Sequence, residues 1–261
     1  MARKFPKLPS LTNVSARSTA TLQVPLGVTY HAIELVYSGI TLAQMSNIEV
    51  QLNGKTVQEF ADGDRLQAIN SYYGRNVEAG RMVLWFERPE YDNIALRRAT
   101  AIGTQNIATF QVNMDIHADA TAPVIEAYAI VSPNRPSVVL TKIKRWVVSN
   151  SVTGVKEVAD IPKEGKIAAL FMFKDDISSL ELSINGTKLW EPNKVLGEFI
   201  QKDYGRVPDG TKYTAVDFHL EGDPAQALIV QGVSDFRLRP SFDTAGSGDL
   251  VVEYLSGLGG I

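Results

Sequence analysis

An all-β fold of two tandem eight-stranded jelly rolls, each with one short helix in a connection, is what three features of the sequence predict. Short apolar runs, most of them alternating, outnumber helical patterns. The chain repeats itself at an interval of about 130 residues, and each repeat carries one helix-like segment at the same place.

The repeat is plainest at a hairpin. "NIEVQLNGKTV", residues 47–57, reads as a strand, an Asn-Gly turn and a return strand, and "SLELSINGTKL", residues 179–189, has the same shape. Glu49 matches Glu181, Asn53 matches Asn185 and Gly54 matches Gly186; Ile48, Val50, Leu52 and Val57 match Leu180, Leu182, Ile184 and Leu189. Any hairpin favours alternation and a turn tolerant of positive φ, so this match alone does not establish duplication. Three further matches follow in the same order. "YYGR" (72–75) pairs with "DYGR" (203–206), "VLWF" (83–86) with "AVDF" (215–218), and a last stretch sets Phe110 against Phe236 and Tyr128 against Tyr254.

In chain order the first half offers strands at 19–25, 30–38, the Asn-Gly hairpin, 81–87, 109–116 and 124–131. The second offers 142–149, 166–173, 180–186 with its return strand, 213–220, 226–232, 235–240 and 250–255. One helix is "DRLQAINSYYG", after an N-capping Asp62 or Asp64; the other is "NKVLGEFIQKDYG", after Asn193. Each ends at a glycine, Gly74 or Gly205, suited to the left-handed C′ position. The arginine that follows, Arg75 or Arg206, is either solvated, the commoner case, or binds a carboxylate bidentately across an interface. "SPNRPS", residues 132–137, opposes both helix and central strand and marks a boundary. The expected organisation is therefore an N-terminal arm at 1–18, a first jelly roll at 19–134 and a second at 135–261. "IAALFMF" and "VLWF" are apolar at consecutive positions, so both faces of these strands need cover, from a loop or from another jelly roll.

A net charge of −3 provides no global positive field, so sequence-specific nucleic-acid binding is not expected. The absence of cysteine excludes disulfides and thiolate metal sites and fits synthesis in a reducing cytoplasm. "MARKFPKLPSLTNV" has no apolar signal core, and no stretch approaches the ~20 apolar residues of a membrane span. His31, His117 and His219 are too scattered for a transition-metal site, and "AGSGD" (245–249) reads as a flexible loop between strands, not a nucleophile elbow. No catalytic residue and no required cofactor is expected. The paired aspartates, including Asp62 with Asp64, read as turn or surface residues; calcium is the cation that loop oxygens at Asp175, Asp176, Asp243 and Asp249 would suit. Trp85 and Trp146 lie in apolar strands and read as core, whereas Trp190, beside "EPN", reads as the most exposed tryptophan.

On these residues the chain resembles, over its entire length, the double jelly-roll major capsid proteins of tailless icosahedral double-stranded DNA phages with an internal membrane, of the corticovirus type. The resemblance rests on the compact tandem halves, on "NIEVQLNG" against "SLELSING", on "YYGR" against "DYGR", and on the short basic start "MARKFPKLP". It implies a structural protein of the virion, not an enzyme. Its homotrimers would stand six jelly rolls upright as a pseudo-hexagonal tile. Its implied partners are neighbouring capsomers, penton and minor capsid proteins, and the inner lipid membrane. Chain ends in that family lie towards the membrane, so Arg3, Lys4 and Lys7 with Phe5 and Leu8 are expected to face anionic headgroups or else to brace a neighbouring capsomer. The rival class is a carbohydrate-binding or glycan-directed tandem jelly roll: a spike, lectin or amidase. It would need exposed aromatics beside converging carboxylates.

Overall fold

A computed structural model describes residues 3–259; residues 1, 2, 260 and 261, which the expected arm and second jelly roll include, lie outside the described residues. The chain divides into two compact units, one of Met1–Ser71 with Arg75–Ile143 and one of Tyr72–Gly74 with Lys144–Ile261.

The first unit contains β1 (Thr19–Gln23), β2 (Val28–Ser38), β3 (Met45–Leu52), β4 (Lys55–Asp62), α1 (Gly63–Tyr72), β5 (Arg81–Trp85), α2 (Ile94–Ala99), β6 (Ile102–Gly103), β7 (Phe110–Ile116) and β8 (Val124–Pro133). One sheet runs β1-β7-β3-β4; in the other, β2 pairs antiparallel with β5, β6 and β8. Strand β7 alternates as a half-wet strand should, turning Phe110, Val112, Met114 and Ile116 inward. Phe110 meets Tyr30 and Phe86 edge-on, at ring-centroid distances of 5.3 and 5.8 Å, so the core lies between the two sheets.

The second unit takes most of β9 (Leu140–Asn150), then β10 (Gly154–Val155), β11 (Lys166–Phe173), β12 (Ile177–Ile184), β13 (Thr187–Trp190), α3 (Lys194–Asp203), β14 (Thr214–Asp217), β15 (Leu228–Ile229), β16 (Phe236–Phe242) and β17 (Gly246–Ser256). One sheet runs β10-β16-β12-β13, and in the other β11 pairs with β14, β15 and β17. Ile167, Leu170 and Met172 of β11 close the core against Leu180, Leu182, Phe236 and Leu238.

Several elements differ from the sequence reading, the two-residue strands β6 and β10 among them as additions. Helix α2 is additional, a six-residue turn capped by the Asn93 side chain, which accepts from Ala95 N at 2.7 Å; it is too short to leave a periodic pattern. The strand expected at 226–232 shrinks to the two residues of β15, after a 3₁₀ turn at Pro224–Gln226. "AGSGD" is not a loop: β17 starts at Gly246, and Gly248 lies so close to β11 that a Cβ there would stand 2.7 Å from Met172 Cε.

The duplicated features fall at matching places in the two units. Both Asn-Gly turns have positive φ at both residues, 51° and 75° at Asn53 and Gly54, 49° and 79° at Asn185 and Gly186, as a type I′ turn requires. Asp62 caps α1 by accepting from Arg65 N at 2.9 Å, and Asn193 caps α3 by accepting from Leu196 N at 3.0 Å. Each helix is then tied to the strand that follows it by a buried amide. Asn70 Nδ2 donates to Val83 O at 2.9 Å, and Gln201 Nε2 donates to Ala215 O at 2.8 Å. Replacing Gln201→Leu leaves a buried strand carbonyl without its donor and should lower stability by about 1–3 kcal/mol, with Asn70→Leu costing a similar amount in the first unit. Urea unfolding reads this directly, and unaltered midpoints would show that the ties contribute nothing.

Candidate assembly surfaces

The N-terminal segment is held as an added strand along β8. Lys4 and Val131 exchange backbone hydrogen bonds of 3.0 and 2.9 Å, Ala129 N donates to Pro6 O at 3.0 Å, and Leu8 N donates to Ala127 O at 2.8 Å. Pro6 and Pro9 keep the segment extended. The five candidate membrane-facing residues do not share one face. Leu8 is buried in the core. Arg3 grips Glu87 through two hydrogen bonds of 2.9 and 2.5 Å. Lys7 Nζ reaches Glu126 at 2.7 Å and lies 5.7 Å from the Tyr128 ring. Lys4 and Phe5 remain outward, Phe5 at 70% exposure.

The Arg3 clasp continues inward. His31 lies between the Glu87 carboxylate, at 2.7 Å from Nδ1, and the Ser132 hydroxyl, at 2.8 Å from Nε2. Burial opposes a charge on Glu87, but hydrogen bonds with His31 and Arg3 outweigh it and hold the carboxyl below its ordinary value of 4.5. A carboxyl lowered by folding stabilises the folded clasp above that ordinary value, and the contribution is lost as pH falls through the folded-state value.

The two arginines after the helices are neither solvated nor paired across an interface: each side chain is enclosed and held by a carboxylate of its own unit. Arg75 Nη2 sits 3.0 Å from each oxygen of Glu90, with the guanidinium 5.9 Å from the Trp85 ring. Arg206 donates to Asp217 Oδ2 at 2.8 Å and to His219 O at 2.9 Å, and lies 5.5 Å from the Tyr73 ring. Every residue of "IAALFMF" is buried. In the second unit the outer face of β11 is covered by tyrosines: Phe171 meets Tyr72 at 5.1 Å, Tyr213 at 5.6 Å and Tyr73 at 6.2 Å, all near edge-on. "YYG" is thus an aromatic cover as well as a helix stop, a role that its spacing alone does not reveal.

The four aspartates considered for calcium do not converge. The Asp176 carboxylate is engaged by Lys174 and Thr244, Asp243 N donates to Asp176 O at 2.9 Å, the Asp175 carbonyl accepts from Lys194, and Asp249 lies 3.8 Å from Arg145. Among the described residues no group of three or more His, Cys, Asp or Glu is placed to hold a metal ion, and no helix is long and apolar enough to cross a membrane. Trp146 packs against the core beside Tyr254. Trp190 does so too, half-buried over Gly197; Trp85 and Trp146 are half-buried as well, so none of the three is exposed and none is wholly core. Helix α3 lies where the sequence places it, and the feature not singled out there is its outer face. Gly197 and Gln201 are its buried residues, while Val195, Leu196 and Phe199 stand in solvent.

The clasp gives a pH test. Hydrogen exchange of residues 4–8, followed from about pH 7 to about pH 3 against the core strands, should show protection lost first along β8 as the pH drops below the ordinary carboxylate range. Glu87→Gln should weaken protection at every pH and remove that dependence. Full protection of the segment at the acid end would refute the clasp.

The model of the viral coat protein P2 N-terminal domain matches residues 5–132, and that of the P2 C-terminal domain matches 140–258. The chain is 30% identical to major capsid protein P2 of Pseudoalteromonas phage PM2 over 263 residues, covering 97% of each chain. The crystal structure of the P2 protein of bacteriophage PM2 matches with a TM-score of 0.94 at 29% identity, over 99% of this chain and 98% of that one. The major capsid protein of Sulfolobus turreted icosahedral virus shares the fold at 10% identity, with a TM-score of 0.74 over 99% and 97% of the two chains. The carbohydrate-directed alternative draws no support from these matches. Its two halves matching the two P2 domain models in order, the chain belongs to the viral coat protein P2 family, the double jelly-roll major capsid proteins.

Proposed function

We propose that this coat protein forms pseudo-hexagonal trimeric capsomers of an icosahedral virion, packed around an internal membrane, and that it carries out no enzymatic chemistry. The duplication is the observation that carries the reading. Two units of one plan in a single chain let three chains present six similar walls, so that threefold symmetry fills a nearly sixfold position. Neighbouring capsomers, penton and minor capsid proteins are the protein partners, and no cofactor is required. Synthesis takes place in the host cytoplasm, consistent with a chain that has no cysteine. For the membrane, the outward Lys4 and Phe5 are the pair that faces lipid. Lys4 contributes about 1 kcal/mol near an anionic surface, and Phe5 adds apolar contact without insertion of a helix. Arg3, Lys7 and Leu8 fasten the segment that presents them.

Light scattering on purified protein should give three times the chain mass of 28.6 kDa, and a stable monomer at high concentration would overturn the capsomer reading. A Lys4→Glu, Phe5→Ser variant should still form trimers but bind anionic vesicles weakly, and wild-type binding should fall as salt screens the attraction. Unchanged vesicle binding, or loss of the trimer, would assign the segment to a protein brace instead of a lipid contact.

A further inference from the structure

We propose that the outer face of α3, together with Tyr204, docks onto the outer β2-β5 face of the first unit of another copy of this chain, in a head-to-tail contact. This rests on the trimer reading above and assigns that assembly a surface.

The internal repeat identifies the partner. The amides of Asn70 and Gln201 reach Val83 O and Ala215 O, so Val83 and Ala215 hold corresponding places. In the strand ladders Val83 lies opposite Glu34, and Ala215 lies opposite Phe171. Glu34 of the first unit therefore stands where Phe171 stands in the second. Phe171 is dry because Tyr72 and Tyr73 cover it. The first unit's corresponding face is more open at one end only: Ala32 and Val83 are buried, Glu34, paired with Arg81, and Trp85, beside the Arg75 guanidinium, are half-buried, and Val36 is exposed.

The covering segment is repeated as well. Tyr73 corresponds to Tyr204, one residue before the C′ glycine in each case. Gly74 and Gly205 have φ of 67° and 76°, and the next arginine N donates back to Asn70 O or Gln201 O at 3.0 Å in both. The backbone thus presents Tyr204 in the way it presents Tyr73. Yet Tyr73 is 5% exposed and Tyr204 46%. Beside Tyr204, Val195, Leu196, Phe199 and Val207 are exposed too, whereas Ala68 and Ile69 of α1 are buried. Large apolar side chains one turn apart on an exposed helix face mark an interface, and tyrosine is enriched at the energetic centre of one.

A chain that has one bare cover and one partly open face, with the filled version of the same contact in its second unit, is self-complementary head to tail. Such a heterologous contact closes into a ring when the rotation permits. Glu34 is held by Arg81 through two hydrogen bonds, and its carboxylate has lone pairs left to accept from the incoming Tyr204 hydroxyl.

The chain has no cysteine, so paired cysteines test this cleanly. Tyr204→Cys combined with Glu34→Cys should be joined into covalently closed trimers by a bis-maleimide long enough to span the two side chains, while either single variant should not. Leu196→Asp with Phe199→Asp, on an exposed face, should leave a folded chain that runs as a monomer. A monomeric wild type would overturn the trimer reading and this contact with it. A trimeric wild type whose Asp variant stays trimeric, or whose cysteine pair gives no bond between chains, would overturn this contact alone.

Discussion

Phe171 is the residue on which the second unit turns, because its strand is apolar on both faces and a jelly-roll sheet ordinarily leaves one face wet. Burying such a side chain is worth roughly 1.5–3 kcal/mol, which is lost unless something dry lies over it. Tyr72 and Tyr73 provide that cover, and they bring hydroxyl groups that must be satisfied where water is excluded. Tyr72 donates to Asp217 at 3.2 Å and Tyr73 to Glu253 at 2.7 Å. Asp217 is itself paired with Arg206, whose charge burial opposes but Asp217 more than restores. An aromatic lid has thus drawn a buried ionic network after it. A pair of this kind adds little net stability when whole, but losing one partner strands the other charge at a cost of about 3–5 kcal/mol.

The first unit uses the same scaffold differently. Its Arg75 meets Glu90 and the Trp85 ring in place of an Asp-Tyr network, and its outer strand β8 is paired along the edge by residues 4–8. An uncovered edge strand invites further pairing, and a segment bearing Pro6 and Pro9 fills this one without offering a regular new edge. Duplication has kept the hairpins, caps and helix ties while the surfaces around them have diverged. That division is what a chain needs if its two halves fill similar but unequal places.

What was legible in the sequence was local. The Asn-Gly turns, the caps at Asp62 and Asn193 and the glycines at 74 and 205 are set by φ and by side chains within three residues, so pattern reading finds them. The misses are all long-range or very short. The carboxylates of Arg75 and Arg206 lie 15 and 11 residues away along the chain, and nothing in "YGR" names them. Trp190 looked exposed beside a proline and an asparagine, but Gly197, a turn into the next helix, leaves room for its ring. The basic start looked like a free cationic arm because Glu87 and Glu126, its counter-charges, stand 84 and 119 residues further on.

Helix α3 shows why its outward apolar residues are not an accident of amphipathicity. A helix that served only its own fold would turn Phe199 and Leu196 inward and leave Gln201 in water. Here the hydrogen bond from Gln201 to Ala215 O fixes the rotation, and Gly197 lets the helix settle against Trp190, where a Cβ would come within 3.2 Å of the ring. Gly197 and the polar Gln201 are therefore inside, each for a reason that the backbone imposes. The same tie in α1 leaves Ala68 and Ile69 buried, so the rotation alone does not demand bare apolar side chains. What differs is the residue type at the outer positions, where α3 carries large hydrocarbon that its own unit does not use. Solubility opposes such a surface in a chain that stays alone, and burial between copies is the condition under which it becomes stabilising.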